Sequence, residues 1–173
     1  IPSPHTIYRD YFKLEPGHAL HWHNGAIKTH NFCHPKFRAK NESSVSGAKH
    51  RLLPTLESAV KRAAANKSTG AFLSGGLDSS TVAGLLAKVS DKAPPTFNIA
   101  FDEERYDESP WARLTAQHFH TRHHEYRLQP DEALAALPTI AQSFDEPFGN
   151  SSALPVYFCA KVAREQGVKC LLA

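Results

Sequence analysis

Seven residues, Ser74-Gly75-Gly76-Leu77-Asp78-Ser79-Ser80, stand between a short apolar run ending at Leu73 and a segment with helical spacing. That placement constrains the chain more than any other feature. Two adjacent glycines allow a sharp backbone turn with its N–H groups facing inward, and the helix that follows aims the positive end of its dipole at the same spot. The hydroxyls of Ser74, Ser79 and Ser80 add donors, so the stretch reads as a phosphate cradle. Asp78 is the odd member, because a carboxylate beside a polyphosphate is repelled unless a divalent cation lies between them. It therefore predicts a magnesium ion held at Asp78. The common loop G-x-x-x-x-G-K-S/T needs a lysine after its last glycine to reach the terminal phosphates, and here that position is Leu77. A pyrophosphate group, as released when ATP is split between its α and β phosphates, suits the loop better. The plainer alternative is a serine- and glycine-rich turn that caps a helix and binds nothing.

Around this loop the hydrophobic period alternates in the manner of a parallel sheet with crossover helices. Residues 46–66 place Leu52, Leu53, Leu56, Ala59, Val60 and Ala63 on one helical face. A strand over 71–73 leads into a helix carrying Val82, Leu85, Leu86 and Val89, and Pro94-Pro95 breaks it. A second strand is expected at 96–101. Ser109 as cap with Pro110 in the first turn should open a helix packed through Trp111, Leu114 and His118. A third strand fits 123–128. Pro130 opens a further helix using Leu134, Leu137, Ala141 and Phe144, which Pro138 should kink or split. Ser151 or Ser152 caps the last helix, packed by Leu154, Tyr157, Phe158 and Val162, and Gly167 ends it before a strand over 168–173.

A length of 173 residues allows one ordinary domain, or a short tail plus one domain. With 20 Lys and Arg against 17 Asp and Glu, scattered along the chain, no basic stripe for nucleic acid and no membrane-surface helix stands out. No apolar run approaches the roughly 20 residues that span a bilayer, and the start lacks a secretory pattern. Cys33, Cys159 and Cys170 form no C-x-x-C pair, and the last two sit in apolar contexts, as reduced core residues do. A cytoplasmic protein is expected. Eleven histidines invite a zinc hypothesis at His118, His120, His123 and His124, or at His21 and His23. The spacing argues against it, since adjacent residues of a strand face opposite ways.

S-G-G-L-D-S-S resembles the pyrophosphate loop of the N-type ATP pyrophosphatases, and with Ala71-Phe72-Leu73 before it and Thr81-Val82-Ala83 after it the chain is similar to the asparagine synthase family. Phe97-Asn98-Ile99-Ala100-Phe101-Asp102, Asp107-Glu108-Ser109, His124-Glu125 and the run from Asp145 through Asn150 to Pro155 carry the resemblance onward, over nearly the whole chain. It implies a three-layer α/β fold of the adenine nucleotide α-hydrolase-like, Rossmann-like kind. Residues 1–45 would be the end of a glutaminase domain and a linker, and 46–173 the first part of the synthetase domain.

By the same resemblance, Leu73, Ser74, Gly75, Gly76, Asp78, Ser79, Ser80 and Ile99 would bind ATP. For the apolar Leu73 and Ile99 the contact would be through backbone groups, with the side chains buried. Glu146, Ser151 and Ser152 would help seat the substrate, although a turn with an ordinary helix cap explains them as well. Asp107 and Glu108 have a plain explanation too, as acids favoured by a helix dipole. No residue of this chain is assigned a catalytic role.

The implied reaction activates the side-chain carboxylate of aspartate as an acyl adenylate with release of pyrophosphate, and glutamine-derived ammonia then gives asparagine. Magnesium would assist ATP, and a homodimer of the full-length form is compatible with the resemblance. A chain that begins at Ile1 and contains no methionine is expected to be a piece of such an enzyme. The glutaminase cysteine, a second metal loop and a catalytic lysine would then lie outside it, and the piece alone would not make asparagine. Two other readings stay open: a related synthetase that amidates another acceptor or closes a β-lactam or peptide ring, and a domain that binds adenine nucleotide without turnover.

Overall fold

The computed structural model describes residues 1–36, 44–65 and 68–173. The chain divides into two compact units, one of residues 1–43 with 144–147 and one of residues 44–143 with 148–173.

The first unit carries a two-stranded antiparallel sheet, β1 (His18–His23) and β2 (Ala26–Asn31). Asn24 and Gly25 turn between them with φ of 48° and 78°. Positive φ at both central residues is the hairpin turn that matches the twist of the strands. Residues 144–147 join this unit, where Lys13 donates to the Glu146 carboxylate and to the carbonyl of Ile1.

The second unit holds a four-stranded parallel sheet built from β3 (Thr69–Phe72), β4 (Pro95–Ala100), β5 (Arg122–Arg127) and β6 (Cys170–Leu172), in the order β5-β4-β3-β6. The chain moves outward from β3 through β4 to β5, then crosses back to place β6 on the other side of β3. Such a reversal opens a crevice above the carboxyl end of the central strand. Among the described residues, α1 (Val45–Ala64) precedes the sheet, and α2 (Leu77–Val89), α3 (Ser109–His118), α4 (Pro130–Gln142) and α5 (Ala153–Glu165) lie in the connections between its strands. A short 3-10 turn spans Glu104–Tyr106. None of the described helices is long and apolar enough to cross a membrane.

Two cores flank the sheet, which makes three layers. On one side Phe97 and Ile99 of β4 pack with Ala136 and Ile140 of α4 and Phe158, Cys159 and Ala163 of α5. On the other, Ala71 and Leu73 pack with Val60 of α1, Ala83, Leu85 and Leu86 of α2, and Ala112 and Ala116 of α3. Alternation along β3 divides the two sides, with Phe72 packed against the first core and Ala71 in the second, since successive side chains of a strand point to opposite faces.

Several expectations are corrected. The helix expected over 46–66 runs from Val45 to Ala64, capped by Ser44, whose Oγ accepts from the Gly47 N–H at 3.1 Å; residue 66 lies outside the described residues. Of its expected face only Val60 is buried, while Leu52 and Leu53 are exposed. In α3 the large residues Trp111 and Leu114 face outward, at 63% and 58% exposure, and Ser109, Ala112 and Ala116 face the sheet. Small residues allow the helix to lie close. Ser109 is not the cap but the first helical residue, and the Asp107 Oδ1 accepts its N–H at 3.2 Å. In α4, Ala136 and Ile140 are buried, and Leu134, Leu137 and the following Phe144 are exposed. That helix runs unbroken through Pro138, an exposed position, so the carbonyl that loses its partner can be hydrated. Gln129 and Glu132 form a reciprocal capping box at its start.

Candidate nucleotide site

Leu73 follows β3, buried, with its N–H donating to the Phe97 carbonyl at 2.9 Å. The chain then turns through Gly75 at φ +87° and enters α2 from Gly76. A Cβ on Gly75 would lie 2.4 Å from the Trp111 Cβ and 2.7 Å from the Ala112 nitrogen. The left-handed backbone and the wall of α3 behind it each demand glycine at this position. Gly76 has ordinary φ of −67° and occupies the N-cap without a side-chain cap bond. The first N–H groups of a helix have no intrahelical partner, so this end of α2 presents donors and the positive end of its dipole to an anion.

The hydroxyls close on one another. Ser74 and Ser79 Oγ atoms are 3.0 Å apart, the Ser74 N–H donates to Ser79 Oγ at 3.3 Å, and the Gly76 N–H donates to Ser74 Oγ at 3.3 Å. These are weak contacts that phosphate oxygens could replace. Ser80 differs, with its hydroxyl 3.3 Å from Thr115 Oγ1 of α3.

The loop opens into a cavity of about 480 Å³. Of the residues expected to bind nucleotide, Leu73, Ser74, Gly76, Asp78, Ser79 and Ile99 line it; Gly75 and Ser80 lie behind, toward α3. Its other walls include Phe97 and Asn98 of β4, Tyr106 of the 3-10 turn, Glu108, and Val156 and Cys159 of α5. None of these six was singled out by sequence as a ligand. A polar end made by the loop and an apolar end made by Phe97, Ile99 and Cys159 together suit a molecule with one charged and one flat apolar part. Burial pushes the Cys159 thiol up to about 12, so it contributes packing and no nucleophile.

Asp78 is exposed in the first turn of α2 and, among the described residues, makes no ion pair. An oxygen donor beside a phosphate cradle fits magnesium, a hard cation that keeps several waters and takes few protein carboxylates. No group of three or more His, Cys, Asp or Glu side chains is placed to hold a metal ion among the described residues. His123 and His124 indeed face opposite ways, the first bonded through Nδ1 to Thr96 Oγ1 at 3.0 Å and the second stacked on Phe97.

Glu146 lies in the first unit, where the Lys13 ammonium holds its carboxyl below the usual carboxylate range. Ser152 sits at the N-cap of α5 without using its hydroxyl; its N–H instead donates to Asn150 Oδ1 at 3.0 Å. Ser151 precedes it, and neither serine lines the cavity, whereas Pro155 and Val156, one turn on, do. Ser152 thus holds the N-cap position expected of Ser151 or Ser152, but its hydroxyl makes no cap bond there.

The model of the family described as Asparagine synthase matches residues 51–173. The chain belongs to the asparagine synthase family. A protein of Methanocaldococcus jannaschii named "Putative asparagine synthetase (glutamine-hydrolyzing) 2" is 34% identical over 95% of this chain and 32% of its own length. Asparagine synthetase (glutamine-hydrolyzing) 1 of Bacillus subtilis is 27% identical over 95% of this chain and 26% of its own. The chain therefore spans about a third or less of these relatives. Among solved structures, NMN synthetase from Francisella tularensis aligns with a TM-score of 0.48 and 19% identity, over 75% of this chain and 54% of that one. Membership accounts for the order of motifs that begins with the Ser74–Ser80 loop, all of it within the second unit apart from residues 145–147.

Proposed function

We propose that this chain forms the nucleotide-binding part of an ATP-dependent ligase that makes asparagine from aspartate and glutamine-derived ammonia. Residues 46–173 would be the first part of its synthetase domain and residues 1–45 the end of a glutaminase domain with a linker. The observation that carries the reading is the uncapped start of α2, which opens with its serine- and glycine-rich loop into the cavity at the reversal of strand order.

ATP would lie with its phosphates on the loop and its base toward Phe97, Ile99 and Cys159. The N–H groups at the start of α2, with Ser74 and Ser79, would hold the β and γ phosphates. An aspartate carboxylate oxygen attacks the α phosphorus, the bond to the bridging oxygen breaks, and pyrophosphate departs with the electron pair. Charge grows on the leaving group as that bond lengthens, so donors fixed in advance around it lower the barrier. Ammonia then attacks the acyl carbon and displaces AMP. Magnesium, when bound with Asp78 as one ligand, would supply charge neutralisation at the phosphates. Ser80 and Gly75 act from behind, setting the loop against α3.

A pyrophosphate-release assay on the full-length protein, with ATP and a panel of amino acids, tests this reading. Release that requires aspartate supports it. Release with another carboxylate would move the protein to a related synthetase, and nucleotide binding without any pyrophosphate would leave a binding domain.

A further inference from the structure

We infer that Ser109, together with Asp107, is a positioning residue that fixes the phosphate loop by tying the first turn of α3 to β4. The inference rests on the reading that the loop holds pyrophosphate. Ser109 is fully buried, and its hydroxyl joins two partners: it accepts from Asn98 Nδ2 at 3.1 Å and donates to Asp107 Oδ1. Asp107 Oδ1 also accepts the Ser109 N–H. A buried hydroxyl with both its donor and acceptor capacity used is held in one orientation, and so is the backbone that carries it.

Two and three residues further along the same turn, Trp111 and Ala112 form the wall against which Gly75 lies, with no room for even one carbon atom between them. Packed interiors transmit displacement instead of absorbing it. Movement of this turn is therefore movement of Gly75 and of the loop on either side of it. The connection that follows α3 and the start of β5 are tied to β4 separately, where Thr96 Oγ1 meets Thr121 Oγ1 at 2.8 Å and His123 Nδ1 at 3.0 Å. That far tie supplies a control, since Thr96 is as buried as Ser109 but sits at the amino end of β4.

The test is titration of inorganic pyrophosphate with magnesium into the full-length protein by calorimetry, with melting temperatures recorded alongside. Ser109→Ala and Asp107→Ala should each weaken binding about tenfold, because small misplacements of a preorganised cradle are costly. Asp107→Asn keeps the accepting oxygen and should bind within about twofold of the parent. Thr96→Val should lower the melting temperature about as much as Ser109→Ala while leaving affinity unchanged. The inference falls if Ser109→Ala binds like the parent, or if Thr96→Val loses affinity to the same extent, which would mark general destabilisation. It falls too if Asp107→Asn is as impaired as Asp107→Ala, which would assign Asp107 a direct charge on the ligand. Absence of binding by the parent protein itself would instead sink the reading of the loop, and this inference with it.

Discussion

The imidazole of His124 lies flat on the ring of Phe97, with centroids 5.1 Å apart and planes inclined by 13°. Burial of that stack pushes the His124 imidazole below its ordinary value of 6.5, and burial does the same at His123 on the other face of β5, with Glu125 pulling the opposite way there. Folded chains then bind fewer protons at these rings than unfolded chains do. The stability they contribute is complete above the unfolded value and is lost as pH falls below it. The melting temperature should therefore decline between about pH 7 and pH 5, before carboxylates begin to titrate. His124→Phe keeps an aromatic ring on Phe97 and removes one of the two titrations, so its melting curve against pH should be flatter. A slope equal to that of the parent would show that His124 is not responsible.

Adjacent glycines of the loop should respond unequally to the same substitution. Gly75→Ala meets both a left-handed φ and the backbone of α3, and should cost upwards of about 2 kcal/mol. Gly76→Ala has ordinary φ, and the nearest atom to its Cβ is Ser74 Oγ at 3.3 Å. It should cost less than about 1 kcal/mol, as changes at a glycine N-cap do. Urea unfolding of the two variants measures the difference, and equal losses would contradict this division of labour.

That inequality also marks where sequence reasoning stopped. The loop, its neighbouring strand and helix, and the alternation that gives a parallel sheet were legible because each depends on local residue chemistry and a short period. Which face of α3 is buried was not. Choosing the largest apolar residues selects Trp111 and Leu114, yet α3 joins the core with Ala71, Leu73 and α2 through Ala112 and Ala116, and meets the loop at Gly75 through Trp111 and the Ala112 backbone. Likewise Asn98, Ser109 and Asp107 meet through folding alone, and nothing in their spacing announces it. The β1–β2 hairpin had one signal, Asn24-Gly25, but both strands are mainly exposed and lack the alternation that would have named them. Tyr106 and Glu108 of the cavity wall lie in and just beyond a 3-10 turn too short to have a period.

The cysteines offer a chemical test of the cavity's far wall. Alkylation requires thiolate and access. Cys33 is exposed, whereas Cys159 is buried with its thiol pushed up to about 12. Iodoacetamide at pH near 8 should label Cys33 in the native protein and reach Cys159 only in denaturant, as read by peptide mass spectrometry. Comparable native rates at both sites would mean that the wall formed by α5 opens readily.

Asp78 separates a metal role from a merely structural one. An acid in the first turn of a helix is favoured by the dipole by about 0.3–1 kcal/mol when exposed, so a purely structural Asp78 would make Asp78→Asn slightly less stable and otherwise normal. A carboxylate that holds magnesium at the phosphates predicts a different outcome. In the full-length protein Asp78→Asn should reduce pyrophosphate release by about a hundredfold or more and raise the magnesium concentration needed for what remains. The glutamine hydrolysis proposed for the full-length protein should be unchanged, since the substitution alters neither the size of the side chain nor any ion pair among the described residues. Parallel loss of both activities would indicate misfolding, and unchanged pyrophosphate release at every magnesium concentration would remove Asp78 from the site.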